Sequence, residues 1–166
     1  MIEAVCFDLG DTLVAEETVI HNSRGQAITA DVIEGASEIV RNLTKAGYKV
    51  AIIANDEDSV SARNIINNTG LKDYFNTILI SAEVGIEKPD SRIFEVVLKS
   101  LGVKAENAVM VGNRIDTDIV GANRSEMTSV WFKWNNRYLA SISTKEEEPD
   151  FTISNLSELN AVLGLL

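Results

Sequence analysis

Cysteine, histidine and proline are scarce in this sequence of 166 residues, which contains one cysteine (Cys6), one histidine (His21) and two prolines. A single cysteine cannot form a disulfide within the chain, and one cysteine with one histidine cannot build a Cys/His zinc site. A disulfide framework and a zinc site of that kind are therefore excluded. Because the first residues also lack the charged and then apolar layout of a secretion signal, a reducing cytoplasm is the expected compartment.

Positive charge is scarce too, since 15 lysines and arginines face 25 aspartates and glutamates, for a formal net charge of −10. Such a charge repels phosphate backbones and anionic membrane surfaces, so neither nucleic acid nor a membrane is an expected partner. No apolar run approaches the roughly 20 residues that would span a bilayer. With 45% hydrophobic residues, the sequence predicts a soluble single domain over residues 1–166 with a substantial core.

The sequence does contain a regular alternation of two hydrophobic patterns. Apolar runs rich in β-branched and aromatic residues predict buried strands at 3–9, 49–54, 77–81, 107–112, 128–133 and, more briefly, 151–153. Between them, apolar residues at helical spacing predict helices that end near Gly47, Gly70 and Gly102. This alternation implies right-handed crossovers. The predicted fold is α/β, a three-layer α/β/α sandwich with a doubly wound, mainly parallel sheet of five to six strands.

Polar residues follow the predicted strands, and ligands of such sheets bind outside the carboxyl ends of the strands. These residues are Asp8 after the first strand, Ala54 and Asn55 at the end of the second, Lys88 in the loop after the third, and Asn113 and Asp118 after the fourth. An aspartate is ionised at neutral pH, so Asp8 could attack an electrophile without a base to activate it. Attack on a phosphate ester would need a divalent cation and a lysine to offset the negative charge.

The same stretches resemble the motifs of the haloacid dehalogenase-like (HAD) hydrolases, nearly all of which are metal-dependent phosphatases and phosphotransferases. Four motifs occur in the family's order, at 8–12 (DLGDT), 52–55 (IIAN), 87–89 (EKP) and 112–118 (GNRIDTD). The resemblance implies a Rossmann-like core and an aspartyl-phosphate formed on Asp8 and steadied by Lys88. It also implies Mg²⁺ as the cofactor, held by Asp8, the backbone carbonyl of Gly10, Asn113 and Asp118.

Three positions depart from the family's pattern. Gly10 stands where the family has the aspartate that protonates the leaving group and then activates water, and Ala54 stands where it has a Ser or Thr hydroxyl. Asn113 replaces a metal-binding acid, which predicts weaker metal affinity. Asp11, one residue after Gly10, could supply the missing catalysis, while Thr12 could donate a hydroxyl to the transferring group. Asn55 could substitute for the donor that is absent at Ala54.

The aromatic and basic residues at 131–138 (WFKWNNRY) leave two interpretations open. They could form a rim that stacks on or neutralises a substrate, or an exposed loop pinned by its aromatics.

The gaps that carry cap domains in many HAD proteins, here residues 14–34 and 56–87, are too short for one. A capless site suits a small or an extended phosphorylated substrate, or a site covered by a second copy of the chain. The first reading is a Mg²⁺-dependent phosphatase. The alternatives are a binding or regulatory module on a weakened hydrolase scaffold, and a phosphotransferase with a long-lived phosphoenzyme.

Overall fold

A computed structural model describes residues 1–138 and 141–166. Eight strands are present in the described chain, namely β1 Ala4–Phe7, β2 Ile20–His21, β3 Ala27–Thr29, β4 Lys49–Ala54, β5 Thr77–Ile80, β6 Ala108–Gly112, β7 Thr128–Phe132 and β8 Phe151–Ile153. Six of them form one parallel sheet in the order β5-β4-β1-β6-β7-β8. The predicted α/β fold with a parallel sheet is therefore confirmed, with six strands.

The helices are α1 Ala36–Lys45, α2 Ser59–Asn68, α3 Ser81–Val84, α4 Ser91–Leu101, α5 Val120–Arg124 and α6 Leu159–Leu165, with a π-helical turn at Ile115–Ile119 before α5. Gly47, Gly70 and Gly102 follow helices with φ of 90°, 71° and 64°, which is the left-handed conformation that favours glycine. Their predicted role at helix ends is confirmed.

The core lies on both faces of the sheet. Successive residues of a strand point to opposite faces, so Val5 and Phe7 of β1 join one apolar cluster while Ala4 and Cys6 join another. Strand β1 lies between β4 and β6, with Phe7 opposite both Ile52 and Val111. This central position carries the end of β1 to the middle of the sheet edge, where neighbouring strand ends can reach it. None of the helices in the part described is long and apolar enough to cross a membrane.

A two-stranded antiparallel hairpin, formed by β2 and β3, was not predicted from the sequence. The Asn22 side chain accepts hydrogen bonds from the backbone N–H groups of Arg24 and Gln26 and so closes the turn. The hairpin is attached to α2, because the Ala27 N–H donates to Ser61 Oγ at 2.9 Å. His21 lies in β2 and is exposed.

Burial makes the Cys6 thiol unreactive. The side chain is fully buried within β1, and desolvation raises its pKa from the ordinary 9.0 to about 12. Because the thiolate is the reactive form, we expect alkylation of folded protein by iodoacetamide at pH 8 to be at least ~10²-fold slower than that of urea-unfolded protein. Mass spectrometry of samples quenched over time measures both rates. Comparable rates in the two states would show that Cys6 is accessible.

Candidate active site

Three of the predicted residues meet through the Lys88 ammonium group. Lys88 Nζ donates to Asp8 Oδ1 at 2.7 Å, to Asp118 Oδ1 at 2.8 Å and to the Ile53 carbonyl at 2.6 Å. Asp8 follows β1 directly, Asp118 lies in the π-helical turn after β6, and Lys88 comes from the loop between α3 and α4. The parallel sheet thus brings together residues that are 80 and 30 positions apart in the sequence.

The charges of this triad are strongly coupled. Lys88 is 3% exposed, and burial alone would lower its pKa, but the carboxylates of Asp118 and Asp8 outweigh burial and hold that pKa above its ordinary value. Burial raises the pKa of Asp118, and the charge of Asp8 adds to this against the opposing effect of Lys88. Two carboxylates share one ammonium group, so when both are ionised the triad carries a net negative charge. Such a site attracts a cation.

A second set of oxygens surrounds the other side of the Asp8 carboxylate. The polar atom of the Asn113 amide that faces Asp8 lies 3.1 Å from Asp8 Oδ2 and 3.2 Å from the Gly10 carbonyl oxygen. With the amide oxygen in this position, three acceptors face one another, and if the amide is turned over its N–H₂ group donates to them instead.

This arrangement fits Mg²⁺. Mg²⁺ binds oxygen ligands at about 2.1 Å in an octahedron, which places adjacent ligands about 3.0 Å apart. Within residues 1–138 and 141–166, no group of three or more His, Cys, Asp or Glu side chains is arranged to hold a metal. The oxygens here come instead from one carboxylate, one amide and one backbone carbonyl. Gly10 can act as a ligand although it has no side chain, because only its backbone carbonyl oxygen is needed.

Asp118 is fixed by the turn that carries it. Its Oδ1 accepts from Lys88 and its Oδ2 accepts from the Arg114 N–H at 3.0 Å, so both oxygens have protein donors. The space for this carboxylate exists because residue 112 is glycine. A Cβ atom on Gly112 would overlap the Asp118 carboxylate, with Cβ of Asp118 only 2.5 Å away.

Replacing Gly112 by alanine should therefore displace Asp118. We expect Gly112→Ala to lower the free energy of unfolding by about 1–3 kcal/mol, because an added methyl group overpacks a rigid site. Urea unfolding followed by circular dichroism measures this change. Gly164→Ala is the matched control, because a Cβ atom at Gly164 meets nothing within 4 Å and alanine favours a helix. Equal stability of the two variants would contradict the packing described here.

Asn55 holds the backbone of Lys88. Its Nδ2 donates to the Lys88 carbonyl at 2.9 Å and its Oδ1 accepts from the Lys88 N–H at 2.8 Å. Asn55 and Ala54 both line the cavity beside Asp8, and Ala54 contributes only a methyl group there. Asn55 therefore positions the Lys88 backbone with both polar atoms of its amide, and its role as a substitute donor stays a prediction.

Asp11 and Thr12, predicted as catalytic residues, are fully buried and do not line the cavity. Asp11 has a φ of 52°, a conformation that aspartate tolerates better than most residues. Its Oδ2 forms an ion pair with Arg137 Nε at 2.6 Å, and its Oδ1 accepts from the Glu16 N–H. Thr12 Oγ1 lies 3.3 Å from Asn113 Oδ1, next to the cation position. Neither side chain lines the cavity, and the catalytic roles of Asp11 and Thr12 stay predictions.

Glu16 is a site residue that sequence reasoning missed. It lies in a single 3₁₀ turn, Glu16–Thr18, and its half-buried carboxylate lines the cavity with Asp8 and Lys88. Desolvation raises its pKa, and the charges of Asp11 and Asp8 add to this, against the hydrogen bond from Tyr138. No motif marks this position, because the only sequence signal is a glutamate that follows the first motif at short distance.

Residues 134–138 are pinned to the loop that follows β1. Trp134 Nε1 donates to the Asp11 carbonyl at 2.7 Å, and the Tyr138 hydroxyl donates to Glu16 Oε2 at 2.9 Å. The Arg114 guanidinium lies 4.7 Å from the centre of the Tyr138 ring. Of the two interpretations of the aromatic segment, the structure shows a loop pinned by its aromatics.

The cavity at this sheet edge has a volume of about 410 Å³. It is lined by charged and polar groups of both signs and by the hairpin, including Asp8, Glu16, His21, Asp56, Asp58, Ser61, Lys88 and Arg114. Such a cavity can hold a small anionic group beside Asp8 while Lys88 and a cation offset its charge.

Curated proteins named as phosphatases are similar to the chain in sequence. The chain is 36% identical to glyceraldehyde 3-phosphate phosphatase of Pyrococcus furiosus over 131 residues, which are 79% of this chain and 54% of that protein. It is 33% identical to ribulose-1,5-bisphosphate 5-phosphatase of Halopiger xanaduensis over 137 residues, covering 80% of this chain and 57% of that protein. The chain thus spans about half the length of these curated relatives.

Solved structures share the fold. A crystal structure of an uncharacterized protein from Listeria monocytogenes serotype 4b superposes with a TM-score of 0.82 at 29% identity, over 99% of this chain and 98% of that one. An HAD phosphatase from Thermococcus onnurineus superposes with a TM-score of 0.71 at 30% identity, over 81% of this chain and 59% of that one.

The family comparison covers most of the chain. The sequence model described as haloacid dehalogenase-like hydrolase matches residues 16–132, which include Asn55, Lys88, Asn113 and Asp118. Asp8 lies before the matched range, and the structure places it against Lys88. The chain belongs to the haloacid dehalogenase-like hydrolase family.

Proposed function

We propose that this protein is a Mg²⁺-dependent phosphohydrolase that acts on a phosphate ester through an aspartyl-phosphate on Asp8. The observation that carries the proposal is the Asp8 carboxylate itself. Its Oδ1 accepts from Lys88, and its Oδ2 lies beside the Asn113 amide, which also contacts the Gly10 carbonyl. Membership of the HAD family and similarity to two phosphatases, of glyceraldehyde 3-phosphate and of ribulose-1,5-bisphosphate, support this chemistry.

Each residue of the site has a role in this reaction. Asp8 attacks the phosphorus atom, and the Lys88 ammonium group offsets the negative charge that develops on the phosphoryl oxygens. Asn55 keeps the lysine in place through its two hydrogen bonds to the Lys88 backbone. Asp8, Gly10 and Asn113 would hold Mg²⁺, with the charge of Asp118 behind them. When bound, Mg²⁺ polarises the phosphoryl group and reduces its repulsion from Asp8.

The proposed substrate is a small phosphate ester that enters an open cavity. Residues 14–34 contain a short hairpin, and residues 56–87 contain α2, β5 and α3, so we propose one domain without a separate cap. A second copy of the chain could cover the site. The single buried cysteine suits a reducing cytoplasm, where we place the protein.

A specific observation favours a second candidate. Ala54 lines the cavity and offers no hydroxyl to it, so this position lacks the donor that the family's pattern provides. A binding module or a phosphotransferase with a slowly hydrolysed phosphoenzyme would tolerate that loss. Calorimetry with Mg²⁺ and beryllofluoride separates a module, which would not capture this phosphoryl mimic. Mass spectrometry after incubation with acetyl phosphate would reveal a long-lived phosphoenzyme.

Mg²⁺ removal tests the proposed function directly. We expect the protein to hydrolyse p-nitrophenyl phosphate in Mg²⁺, and EDTA to reduce the rate at least ~10²-fold, because the phosphate charge then lacks its counterion. Release of p-nitrophenolate is followed by absorbance. Excess Mg²⁺ added after EDTA should restore the rate. No hydrolysis in Mg²⁺ would refute the phosphatase assignment, and equal rates in EDTA would refute the metal dependence.

A further inference from the structure

The Glu16 carboxylate occupies the space into which a side chain at position 10 would project. A Cβ atom built on Gly10 would lie 3.0 Å from Glu16 Cγ and 3.1 Å from Glu16 Cδ, and it would meet Glu16 Oε1 more closely still. The three nearest heavy atoms are all from Glu16. Position 10 therefore lacks a side chain in the very place where Glu16 supplies one.

Glu16 is held in this position from two sides. Its backbone N–H donates to Asp11 Oδ1 at 3.0 Å, and its Oε2 accepts from the Tyr138 hydroxyl at 2.9 Å. Asp11 in turn pairs with Arg137, so both residues that hold Glu16 depend on the pinned segment 134–138. Oε1 is left on the side of Gly10 and the cavity. A carboxylate this well placed beside Asp8 is suited to proton transfer.

The other acids that line the cavity have different partners. Asp58 Oδ1 accepts from the Val60 N–H and its Oδ2 accepts from Ser61 Oγ, so it caps α2. Asp56 accepts from the Asp58 N–H in the same turn. Asp11, which the sequence offered as one candidate for the missing catalysis, is paired with Arg137. Glu16 remains the acid beside Asp8 whose carboxylate faces the cavity without capping a helix.

We propose that Glu16 is the catalytic acid and base of this site, in place of the side chain that Gly10 lacks. This inference rests on the proposed phosphohydrolase function. As Asp8 attacks phosphorus and the ester P–O bond breaks, the Glu16 carboxyl group gives its proton to the leaving oxygen, which departs as an alcohol. The resulting Glu16 carboxylate then takes a proton from water, the hydroxide attacks the phosphorus of the aspartyl-phosphate, and Asp8 leaves as a carboxylate with release of phosphate.

Two aryl phosphates of similar shape and different leaving groups test the first step. Phenol is a much poorer leaving group than p-nitrophenol, so phenyl phosphate needs the proton from Glu16 more. We expect Glu16→Gln to lower kcat/KM for phenyl phosphate ~10²- to 10³-fold. The decrease in kcat/KM for p-nitrophenyl phosphate should be at least tenfold smaller than the decrease for phenyl phosphate. Glu38→Gln, at an exposed position of α1, should leave both values unchanged.

Intact-mass spectrometry tests the second step. Because the attacking water has no base in this variant, Glu16→Gln quenched during turnover of p-nitrophenyl phosphate should carry a phosphoryl adduct, whereas wild-type protein should carry less.

A carboxylate placed at position 10 should rescue the loss of Glu16. Glu16→Ala removes the side-chain atoms that crowd position 10, so an aspartate fits there. The double variant Gly10→Asp/Glu16→Ala should hydrolyse phenyl phosphate at least tenfold faster than Glu16→Ala does.

The outcomes distinguish the two proposals. Inactive wild-type protein would remove the proposed function and the inference with it. An active wild-type protein whose Glu16→Gln variant keeps the same ratio of phenyl to p-nitrophenyl rates, with no adduct, would overturn the role of Glu16 alone. Failure of the double variant to exceed Glu16→Ala, when both are folded by circular dichroism, would also overturn it, because a merely structural glutamate is not replaced from position 10.

Discussion

Asp8→Asn should hydrolyse p-nitrophenyl phosphate at least ~10³-fold more slowly than the wild-type protein while remaining folded. The amide has the shape of the carboxylate but cannot form an aspartyl-phosphate, and mutations that remove a nucleophile typically cost several orders of magnitude. Stability should not fall, because Lys88 keeps its contacts with Asp118 and the Ile53 carbonyl. The variant even removes one of the two carboxylates that share a single ammonium group.

Activity and stability must be measured together to interpret this variant. The absorbance of released p-nitrophenolate measures the rate of hydrolysis, and thermal unfolding shows whether the site has kept its packing. Asp73→Asn is a suitable control, since Asp73 is exposed in a 3₁₀ turn before β5 and should affect neither measurement. An Asp8→Asn protein that still hydrolyses the ester at the wild-type rate would rule out Asp8 as the nucleophile.

The fold was predictable because its strands are buried on both faces. A strand of a parallel sheet that is covered by helices reads as a continuous apolar run, and five of these runs match β1, β4, β5, β6 and β7. The ends are less accurate. The run at 3–9 continues past β1, because the strand ends at Phe7 and the Leu9 carbonyl accepts from Thr12, Leu13 and Val14 in a tight turn.

The hairpin of β2 and β3 left no comparable pattern. Its strands have only two and three residues, too few for an alternation to be recognised, and most of their side chains are exposed or half-buried. Its position depends on tertiary contacts instead, since Asn64 of α2 donates to the Ala27 carbonyl. Contacts of this kind, between residues 37 positions apart, have no signature in local sequence.

The site was predictable where chemistry follows strand ends. Asp8, Lys88 and Asp118 converge as the topology requires, and the Asn113 amide lies beside both Asp8 and the Gly10 carbonyl. The residues that the sequence did not reveal act through distant partners. Asp11 forms an ion pair with Arg137, and Glu16 accepts a hydrogen bond from Tyr138, so the positions of both carboxylates depend on a loop beyond β7. Sequence reasoning identified Asp11 but not Glu16, and only the tertiary contacts show that Glu16 is the one that lines the cavity.

Lys88→Met should be the most destabilising single change in the site. Lys88 is buried between Asp8 and Asp118, and methionine keeps the volume of the stem while removing the charge. Two buried carboxylates would then face each other without a partner. Breaking a buried ion pair in this way lowers the free energy of unfolding by about 3–5 kcal/mol. Urea unfolding in EDTA measures the change, because chelation prevents a cation from replacing the lysine.

A double variant distinguishes lost charge balance from lost packing. In Lys88→Met/Asp118→Asn, one of the uncompensated carboxylates is removed together with the lysine, so we expect at least about 1–2 kcal/mol of the lost stability to return. Repacking alone predicts the opposite, since Asp118→Asn would add a second defect and the losses would sum. A Lys88→Met protein as stable as wild type would show that Lys88 does not hold the two acids together. The same result would remove the electrostatic basis for placing a phosphoryl group between Asp8 and Lys88.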